Sequence, residues 1–254
     1  MKTNPEYGVR KAQVVLPTRD LLVVPHRGVS LAVSHPAFGP NLYSTNVAEM
    51  GGTYSHLPEF SQISFREPTT SESVSAAAYD FDKMAKPQIL DTRWLQAGRI
   101  IRTNKGVIVN PILDSQGKAV LNSGDLEAIK TNSRKIQVGK GHIYLGTNDF
   151  GFAEYGTFQT GLQECDAFAQ GGLARVIEHT KGVAPNLRAI ASPVNYPNGV
   201  NVWGFESPKE PIQGVLGLSL ARSLGSGRLG VTGGGWVGGY GGGVDVGYAF
   251  GVLK

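Results

Sequence analysis

Residue types that carry out catalysis or bind metals are few in this sequence, and their spacing forms no recognisable site. The single cysteine, Cys165, excludes an internal disulfide and any multi-thiolate metal site. No spacing pairs a nucleophile with a base, so we assign no catalytic residue, no metal ligand and no cofactor. The histidines are scattered, and we interpret each as a structural or surface residue: His26, His35, His56, His142 and His179.

Cys165 lies in a segment with helical periodicity. From Phe158 to His179, apolar residues recur at steps of three and four: Leu162, Cys165, Phe168, Ala169, Leu173, Val176 and Ile177. This pattern predicts a helix with Cys165 on its inner face as a small core residue. A catalytic thiolate is the alternative, but it needs a base that the sequence does not identify. Gly171-Gly172 interrupts the pattern, which indicates either a weakened helix or close approach of another backbone.

Composition excludes several classes of protein. The chain has 254 residues, of which 41% are hydrophobic and 17% charged, so it can bury a core. The net charge of +4 is spread thinly, so we expect no nucleic-acid partner. Because no run of eighteen apolar residues occurs, we expect no membrane insertion. The first six residues lack the layout of a secretory signal, and we expect none.

The elements that would position a site are clearest after residue 68. Residues 1–68 contain short apolar runs stopped by prolines, such as Ala12–Leu16 and Leu21–Val24, and suggest an extension packed on a body. Thr69 and Glu72 form a capping box that predicts a helix over Ser71–Lys86. Further predicted elements are a hairpin of Arg99–Arg102 with Val107–Val109, helices over Asp125–Lys130 and Pro185–Ile190, and a strand over His142–Leu145.

After Pro197 the pattern is that of β-structure. Apolar residues alternate around Val200 and Val202, around Leu216–Leu220 and around Leu229–Val231. A final period-two run joins Val244, Val246, Tyr248, Phe250 and Val252. We therefore predict one terminal strand whose apolar face is pinned to a core.

A glycine-rich segment precedes that terminal strand. Ten of the eighteen residues from Gly230 to Gly247 are glycine. The segment lacks Arg and Lys, which argues against RNA binding, and it leads into a strand, which argues against a phosphate cradle. A flexible linker is disfavoured because nothing foldable of any size follows it. Two interpretations stay open: a loop displayed on a β scaffold, and a glycine-rich β region that simply packs.

Several motifs in the C-terminal half resemble the variable proteins of diversity-generating retroelements. The matching residues are Gly199–Glu206, with the family's glycine–asparagine–valine–tryptophan segment, then Ser223–Leu229, Trp236 and Gly247–Val252. The similarity spans roughly Trp94 to Lys254, with specific motifs only from Gly199 onward. It implies an α+β fold: a C-type-lectin-like domain of the formylglycine-generating-enzyme type, with twisted antiparallel strands and two or more helices. The implied division is an extension over 1–92 and a ligand-binding domain over 93–254.

In the family that it resembles, adenine mutagenesis of asparagine codons diversifies positions just before the last strand. Every residue from Gly230 to Gly247 except Trp236 is reachable in this way. A mutable site must project from a rigid scaffold into solvent, with aromatic residues such as Trp236 and Tyr240 as anchors. A core position for Trp236 is the alternative. The expected ligand-binding surface is Ser219, Ser223, Ser226, Thr232, Gly233, Gly234, Gly235, Trp236, Val237, Gly238, Gly239, Tyr240, Gly241, Gly242, Gly243 and Asp245.

The resemblance also implies a biological setting. It suggests a non-enzymatic receptor-binding protein on a virus particle, at the tail tip or surface, that attaches to a protein or glycan of a host cell. A cell-surface or cytoplasmic location is the alternative. Two other functions stay open: a structural virion or surface protein, and an inactive relative of formylglycine-generating enzymes. The oxidase activity of those enzymes needs several cysteines, whereas this chain has only Cys165. Asp245, Glu206 and Asn201 are too few side-chain ligands to predict a calcium site.

Overall fold

The chain forms a mixed α+β structure dominated by strands, which confirms the predicted α+β class, while the C-type-lectin-like fold stays a prediction. The computed structural model describes residues 20–35, 37–50, 65–83, 94–111, 123–219, 227–234 and 246–253. Its strands are β1 (Asp20–His26), β2 (Val29–His35), β3 (Phe38–Leu42), β4 (Phe65–Arg66), β5 (Leu95–Arg102), β6 (Gly106–Val109), β7 (Arg134–Val138), β8 (Gly141–Leu145), β9 (Gly151–Glu154), β10 (Gly161–Gln163), β11 (Val200–Trp203), β12 (Ile212–Ser219), β13 (Leu229–Thr232), β14 (Val246–Ala249) and β15 (Val252–Leu253). Its helices are α1 (Tyr43–Met50), α2 (Thr70–Lys83), α3 (Ser123–Thr131), α4 (Cys165–Gln170), α5 (Gly172–Ile177) and α6 (Pro185–Ile190).

Most strands belong to one large sheet. Its order is β10-β11-β13-β12-β5-β6-β9-β8-β7, and β14 joins it through a parallel pairing of Tyr248 with Leu95. Strands β11 and β13 are also parallel, whereas the other neighbours along the path are antiparallel. Strands β12 and β5 lie near the middle of the sheet, and β5 contacts β14 as well as its two neighbours along the path.

A second, four-stranded sheet joins the two ends of the described chain. Its order is β1-β2-β15-β4, so the short C-terminal strand β15 lies between strands from residues 20–66. Strand β1 continues through Pro25, although the sequence predicted that Pro25 would stop it. Because β1 is an edge strand, the missing N–H of the proline costs no ladder hydrogen bond.

The capping box and the hairpin are confirmed. The Thr69 N–H donates to Glu72 Oε2 at 2.9 Å, and the Glu72 N–H donates to Thr69 Oγ1 at 3.3 Å, at the start of α2. Strands β5 and β6 form the hairpin: Ile100 pairs with Val109, and Arg102 pairs with Val107. Helices α3 and α6 and strand β8 also lie where the sequence predicted them.

The predicted helix over 158–179 is wrong in its extent. The segment instead forms β10, in which Leu162 is 56% exposed, followed by α4 and α5, with a break at Gly171. The Gly172 N–H donates to the Thr157 carbonyl at 2.7 Å, and an added Cβ at Gly172 would lie 2.3 Å from Thr157 Oγ1. Residue 172 is therefore glycine because the segment at Thr157 approaches it closely, and not because a weak helix is needed there.

Cys165 is a buried core residue, as predicted. It is 6% exposed and lies in the main hydrophobic cluster with Phe168, Leu173 and Ile177. Burial raises the pKa of its thiol, which disfavours the thiolate that covalent chemistry would need. Among the described residues, no group of three or more His, Cys, Asp or Glu could hold a metal ion.

The predicted single terminal strand is also wrong, because the segment divides into β14 and β15. Its partners change at Gly251, where an added Cβ would lie 2.7 Å from Phe65 Cβ and 2.8 Å from the Phe38 ring. Ala249, which lies between the residues of the period-two apolar run, is completely buried against Phe38 and Phe65. Both faces of this segment are therefore covered, which a one-sided apolar pattern does not predict.

Residues from both predicted domains share one core. Val24, Val33 and Val74 belong to the same hydrophobic cluster as Leu95 and Leu218. Helix α1, which the sequence did not predict, adds a polar anchor, since Asn46 Nδ2 donates to Gln96 Oε1 at 2.6 Å and to the Gly247 carbonyl at 3.0 Å. The division at residue 92 stays a prediction, and the predicted run Ala12–Leu16 lies outside the described residues.

The close approach at Gly172 makes a stability prediction. We expect Gly172→Ala to lower the free energy of unfolding by about 1–3 kcal/mol, because the added methyl group displaces Thr157 and Ile143. Urea unfolding of both proteins would measure the difference. Gly182→Ala is the matched control, because no atom lies within 4 Å of a Cβ built there. Equal effects of the two substitutions would contradict the packing explanation.

Candidate functional site

Four of the residues predicted to bind ligand lie within the described structure: Ser219, Thr232, Gly233 and Gly234. Ser219 ends β12 and is half-buried, and Gly234 is half-buried just beyond β13. The remaining predicted positions lie outside the described residues: Ser223, Ser226, Gly235, Trp236, Val237, Gly238, Gly239, Tyr240, Gly241, Gly242, Gly243 and Asp245. Their role in binding stays a prediction.

The expectation that every position projects into solvent is wrong for Thr232 and Gly233. Thr232 is only 1% exposed, and its Oγ1 accepts a hydrogen bond from the Gly234 N–H at 3.1 Å. A Cβ built at Gly233 would lie 2.6 Å from the Phe205 ring. Packing on Phe205 therefore leaves no room for exchangeable side chains at Gly233.

A pair of half-buried tryptophans lies beside these positions. The ring centroids of Trp94 and Trp203 are 5.8 Å apart at an interplanar angle of 74°, an edge-to-face arrangement. The Trp203 ring covers Gly230, where an added Cβ would lie 2.7 Å from Cη2 of the ring and 2.8 Å from Ser219 Cβ. The Trp203 indole can therefore pack against β13 because Gly230 has no side chain.

The strand ends that lead into the predicted surface meet at this tryptophan pair. Ser219, the last residue of β12, pairs with Gly230, and Trp203 pairs with Thr232, the last residue of β13. Within β14, the Tyr248 N–H donates to the Trp94 carbonyl at 2.9 Å. We call Trp94, Trp203 and Ser219 the tryptophan surface; Gly230 is buried beneath the Trp203 ring. Trp203 was part of a recognised motif, but nothing in the sequence marked Trp94 as its partner.

A second group of polar residues, which sequence spacing did not reveal, centres on Asp149. Its Oδ2 accepts hydrogen bonds from Thr69 Oγ1 and Ser71 Oγ, both at 2.7 Å, and its Oδ1 accepts from Arg27 Nη1 at 2.5 Å. Burial opposes ionisation, but these hydrogen bonds outweigh it and lower the pKa of Asp149. Arg27 also donates to the carbonyl of Glu178, which links three loops.

Unusual backbone conformations concentrate at this Asp149 cluster. Among the described residues, five non-glycine residues have positive φ: Arg27 (47°), Asn110 (52°), Asn148 (52°), Asp149 (59°) and His179 (50°). Asn110 belongs to the network because its Nδ2 donates to the Asp149 carbonyl at 2.8 Å. Such conformations persist only where surrounding contacts hold them, and they are typical of binding and switch sites.

Two histidines border the Asp149 cluster, and neither is positioned as a metal ligand. His26 Nδ1 lies 2.9 Å from Ser75 Oγ, and His179 Nε2 donates to the Gly146 carbonyl at 2.9 Å. His179 Nδ1 lies 3.6 Å from Asp149 Oδ1. Burial lowers the pKa of both histidines, and Arg27 lowers each further. Both imidazoles are therefore held neutral at physiological pH.

Glu178 completes this polar region. Its carboxylate accepts hydrogen bonds from the backbone N–H groups of Asn186, at 3.2 Å, and Leu187, at the start of α6. Burial nevertheless raises the pKa of Glu178 to about 7. A cleft of about 570 Å³ opens between His26, Ser75, Glu178 and Asn186. On the other side of Asp149, a second cavity of about 540 Å³ lies between Pro68, Ile129 and Phe150.

Comparisons with known proteins identify no relative. No protein-family model matches the chain, and searches of curated proteins and of solved structures found no match. In the described part of the chain, no helix is long and apolar enough to cross a membrane.

The buried carboxyl of Glu178 makes a prediction about pH. Because its folded-state pKa is raised, its contribution to stability is fully present below about pH 4.5 and is lost as the pH rises through about 7. The loss is on the order of 3 kcal/mol. Glu178→Gln cannot ionise, so we expect the variant to gain stability relative to the wild type as the pH rises over that window.

Urea unfolding at several pH values would measure this relative stability. Glu206→Gln, which alters a 74% exposed carboxylate, is the control and should show no such trend. A constant difference between Glu178→Gln and the wild type across the window would contradict burial of an ionisable Glu178.

Proposed function

We propose that this chain is a non-enzymatic ligand-binding protein whose binding surface is formed by the tryptophan surface and by residues 235–245. The edge-to-face pair of Trp94 and Trp203 carries the proposal. Its half-buried rings lie where β12, β13 and β14 approach the segments that contain the predicted ligand-binding positions. Large aromatic side chains on rigid strands contribute much contact area and lose little conformational entropy on binding.

The scaffold around the tryptophan surface also supports binding. Leu216, Leu218, Leu229 and Val231 face the core and are completely buried, so β12 and β13 are held firmly from one side. A surface on such strands can accept changes in adjacent loops without loss of the core. This arrangement fits a C-type-lectin-like domain that displays diversified positions, as the resemblance of Gly199–Glu206 to retroelement variable proteins suggests.

We further propose that the ligand is a protein or glycan on a host cell and that the chain acts at the surface or tail tip of a virus particle. The support for this setting is the sequence resemblance alone. The burial of Thr232 and Gly233 reduces the candidate diversified positions to those at and beyond Gly234, together with Ser219, Ser223 and Ser226.

A structural role is the second candidate, because one observation favours it. The glycines of the described C-terminal strands are packed: Gly230 on Trp203, Gly233 on Phe205, and Gly251 on Phe65. If the glycines of 235–243 serve the same purpose, the segment forms part of a packed virion or surface protein without a ligand. Enzymatic activity gains no support, since Cys165 is buried and its thiol pKa is raised.

Comparison of sibling genes separates the two functions. We expect differences to concentrate at Val237, Tyr240 and Asp245 and to spare Thr232 and Gly233, because Thr232 is buried and Gly233 packs on Phe205. Sequencing of the flanking DNA should show a near-copy of this region beside a reverse transcriptase. Differences spread evenly along the gene would favour the structural role.

A binding experiment tests the tryptophan surface directly. Fluorescently labelled protein would be applied to a panel of intact cells and immobilised glycans, and the affinity for any bound target measured. We expect Trp203→Leu to weaken binding by about thirtyfold or more, as loss of a central aromatic contact commonly does. Val29→Ala is the control, since Val29 is exposed on the smaller sheet. Unchanged affinity of a folded Trp203→Leu variant would refute the assignment.

A further inference from the structure

Strands β1 and β2 contribute Val24 and Val33 to the core, and at the turn between them Arg27 adds a polar contact to the body of the protein. Arg27 and Gly28 both have positive φ, 47° and 82°, which is typical of a tight type I′ turn. From this turn, the Arg27 guanidinium donates to Asp149 Oδ1 at 2.5 Å, to the Glu178 carbonyl at 2.5 Å and to the His179 carbonyl at 3.3 Å. We call these contacts the Arg27 latch.

The Arg27 latch lies between two groups that can gain a proton. His26, the last residue of β1, precedes Arg27, and its buried side chain packs against Ser75 of α2. His179 lies on the opposite side, with Nδ1 3.6 Å from the same Asp149 oxygen that accepts from Arg27. The charged and titratable groups that face these histidines from all packed elements are Arg27, Arg66, Glu72, Asp149 and Glu178.

In mild acid, where Glu178 is protonated, the charges of this region balance only while both histidines are neutral. Arg27 is paired with Asp149, and Arg66 is paired with Glu72 through contacts of 2.7 Å. Protonation of His26 and His179 adds two positive charges next to Arg27, and no carboxylate in this set is left to pair with both. His26, His179 and Asp149 are largely shielded from water, which screens charge poorly there, whereas the Arg27 side chain is 37% exposed.

We propose that the Arg27 latch is an acid-sensitive switch that releases the β1–β2 hairpin from the body when His26 and His179 are protonated. His179 competes with Arg27 for Asp149, and His26 repels Arg27 from the adjacent position. Histidine pairs of this kind are well suited to sensing mild acid, because small changes in environment move their titration across the physiological range.

The direction of the pH effect follows from the histidines. Their folded-state pKa values lie below 6.5, so the closed latch is favoured above that pH and is weakened as the pH falls through the folded values. Glu178 titrates in the opposite sense, but its carboxylate holds the start of α6 and does not contact the hairpin. Only the backbone carbonyl of Glu178 belongs to the latch.

Release of the β1–β2 hairpin would also disrupt the pairing of the C-terminal strand β15. Strand β15 pairs with β2 through Val252 and Val33, and Ser34 exchanges hydrogen bonds of 2.9 Å with the Gly251 carbonyl and N–H. Opening would therefore loosen residues 250–253 together with residues 20–35. Strands β5, β6, β8 and β9 have no pairing with the hairpin and would stay closed.

Hydrogen exchange of the full chain tests the proposal. Exchange would be measured by mass spectrometry at about pH 7.5 and about pH 5, with labelling times corrected for the intrinsic rate, since histidine titrates between these values. We expect protection to fall in peptides covering 20–35 and 246–253 and to persist in peptides covering 95–109 and 141–154. Each histidine can change the opening equilibrium by up to about tenfold per pH unit between its unfolded-state pKa of 6.5 and its lowered folded-state pKa.

Neutral substitutions identify the responsible groups. In the double variant His26→Gln with His179→Asn, the acid-induced loss of protection should disappear, and asparagine tolerates the positive φ at position 179. His142→Gln is the matched control, because His142 lies near Glu154, away from the latch, and this variant should respond like the wild type. If the double variant does not fold, the two single variants should each reduce the response.

Three results would overturn the proposal. The first is unchanged protection of residues 20–35 in the wild type at the lower pH. The second is a uniform loss of protection along the chain, which indicates global unfolding. The third is an undiminished acid response in a folded variant that lacks both histidines.

Discussion

Aromatic rings packed directly on glycine backbone hold the C-terminal strands in place. Trp203 covers Gly230, Phe205 covers Gly233, and Phe38 and Phe65 close on Gly251. At each position a Cβ would lie within 2.8 Å of the ring or its attached carbon, a distance that real Cβ atoms do not reach. The sheet therefore depends on the absence of side chains at these positions, and the paths of β13, β14 and β15 follow from it.

This packing gives part of the high glycine content a structural explanation. Adenine mutagenesis would account for the glycines between Gly230 and Gly247 as inserted residues, but Gly230 and Gly233 have a structural reason to be glycine. Gly247 has one as well, since a Cβ there would lie 2.8 Å from the Trp94 carbonyl oxygen. Diversification is thus compatible with the described strands only if it acts on the residues between them.

Polar interactions hold the other side of the molecule. Asp149 receives hydrogen bonds from α2 and from the β1–β2 turn, and Glu178 receives them from the start of α6. Loops from residues 27, 149 and 178 are linked because Arg27 donates to the partly buried Asp149 carboxylate and to the Glu178 backbone carbonyl. Such a network is strong when complete and sensitive to any change in protonation, because the interior screens charge poorly.

The amino-acid sequence determined the features that depend on near neighbours in the chain. Thr69 and Glu72 begin α2, the Thr103–Gly106 turn joins β5 to β6, and Cys165 lies in the core, because capping, turn geometry and periodicity act over a few residues.

Tertiary structure decided what depends on contacts between distant residues. It divided the predicted helix at Gly171, since Thr157 packs against Gly172, and it divided the predicted last strand at Gly251, since Phe38 and Phe65 occupy that space. It brought Trp94 to Trp203, and Arg27 to Asp149 across 122 residues, because pairing of strands far apart in the chain has no local signal.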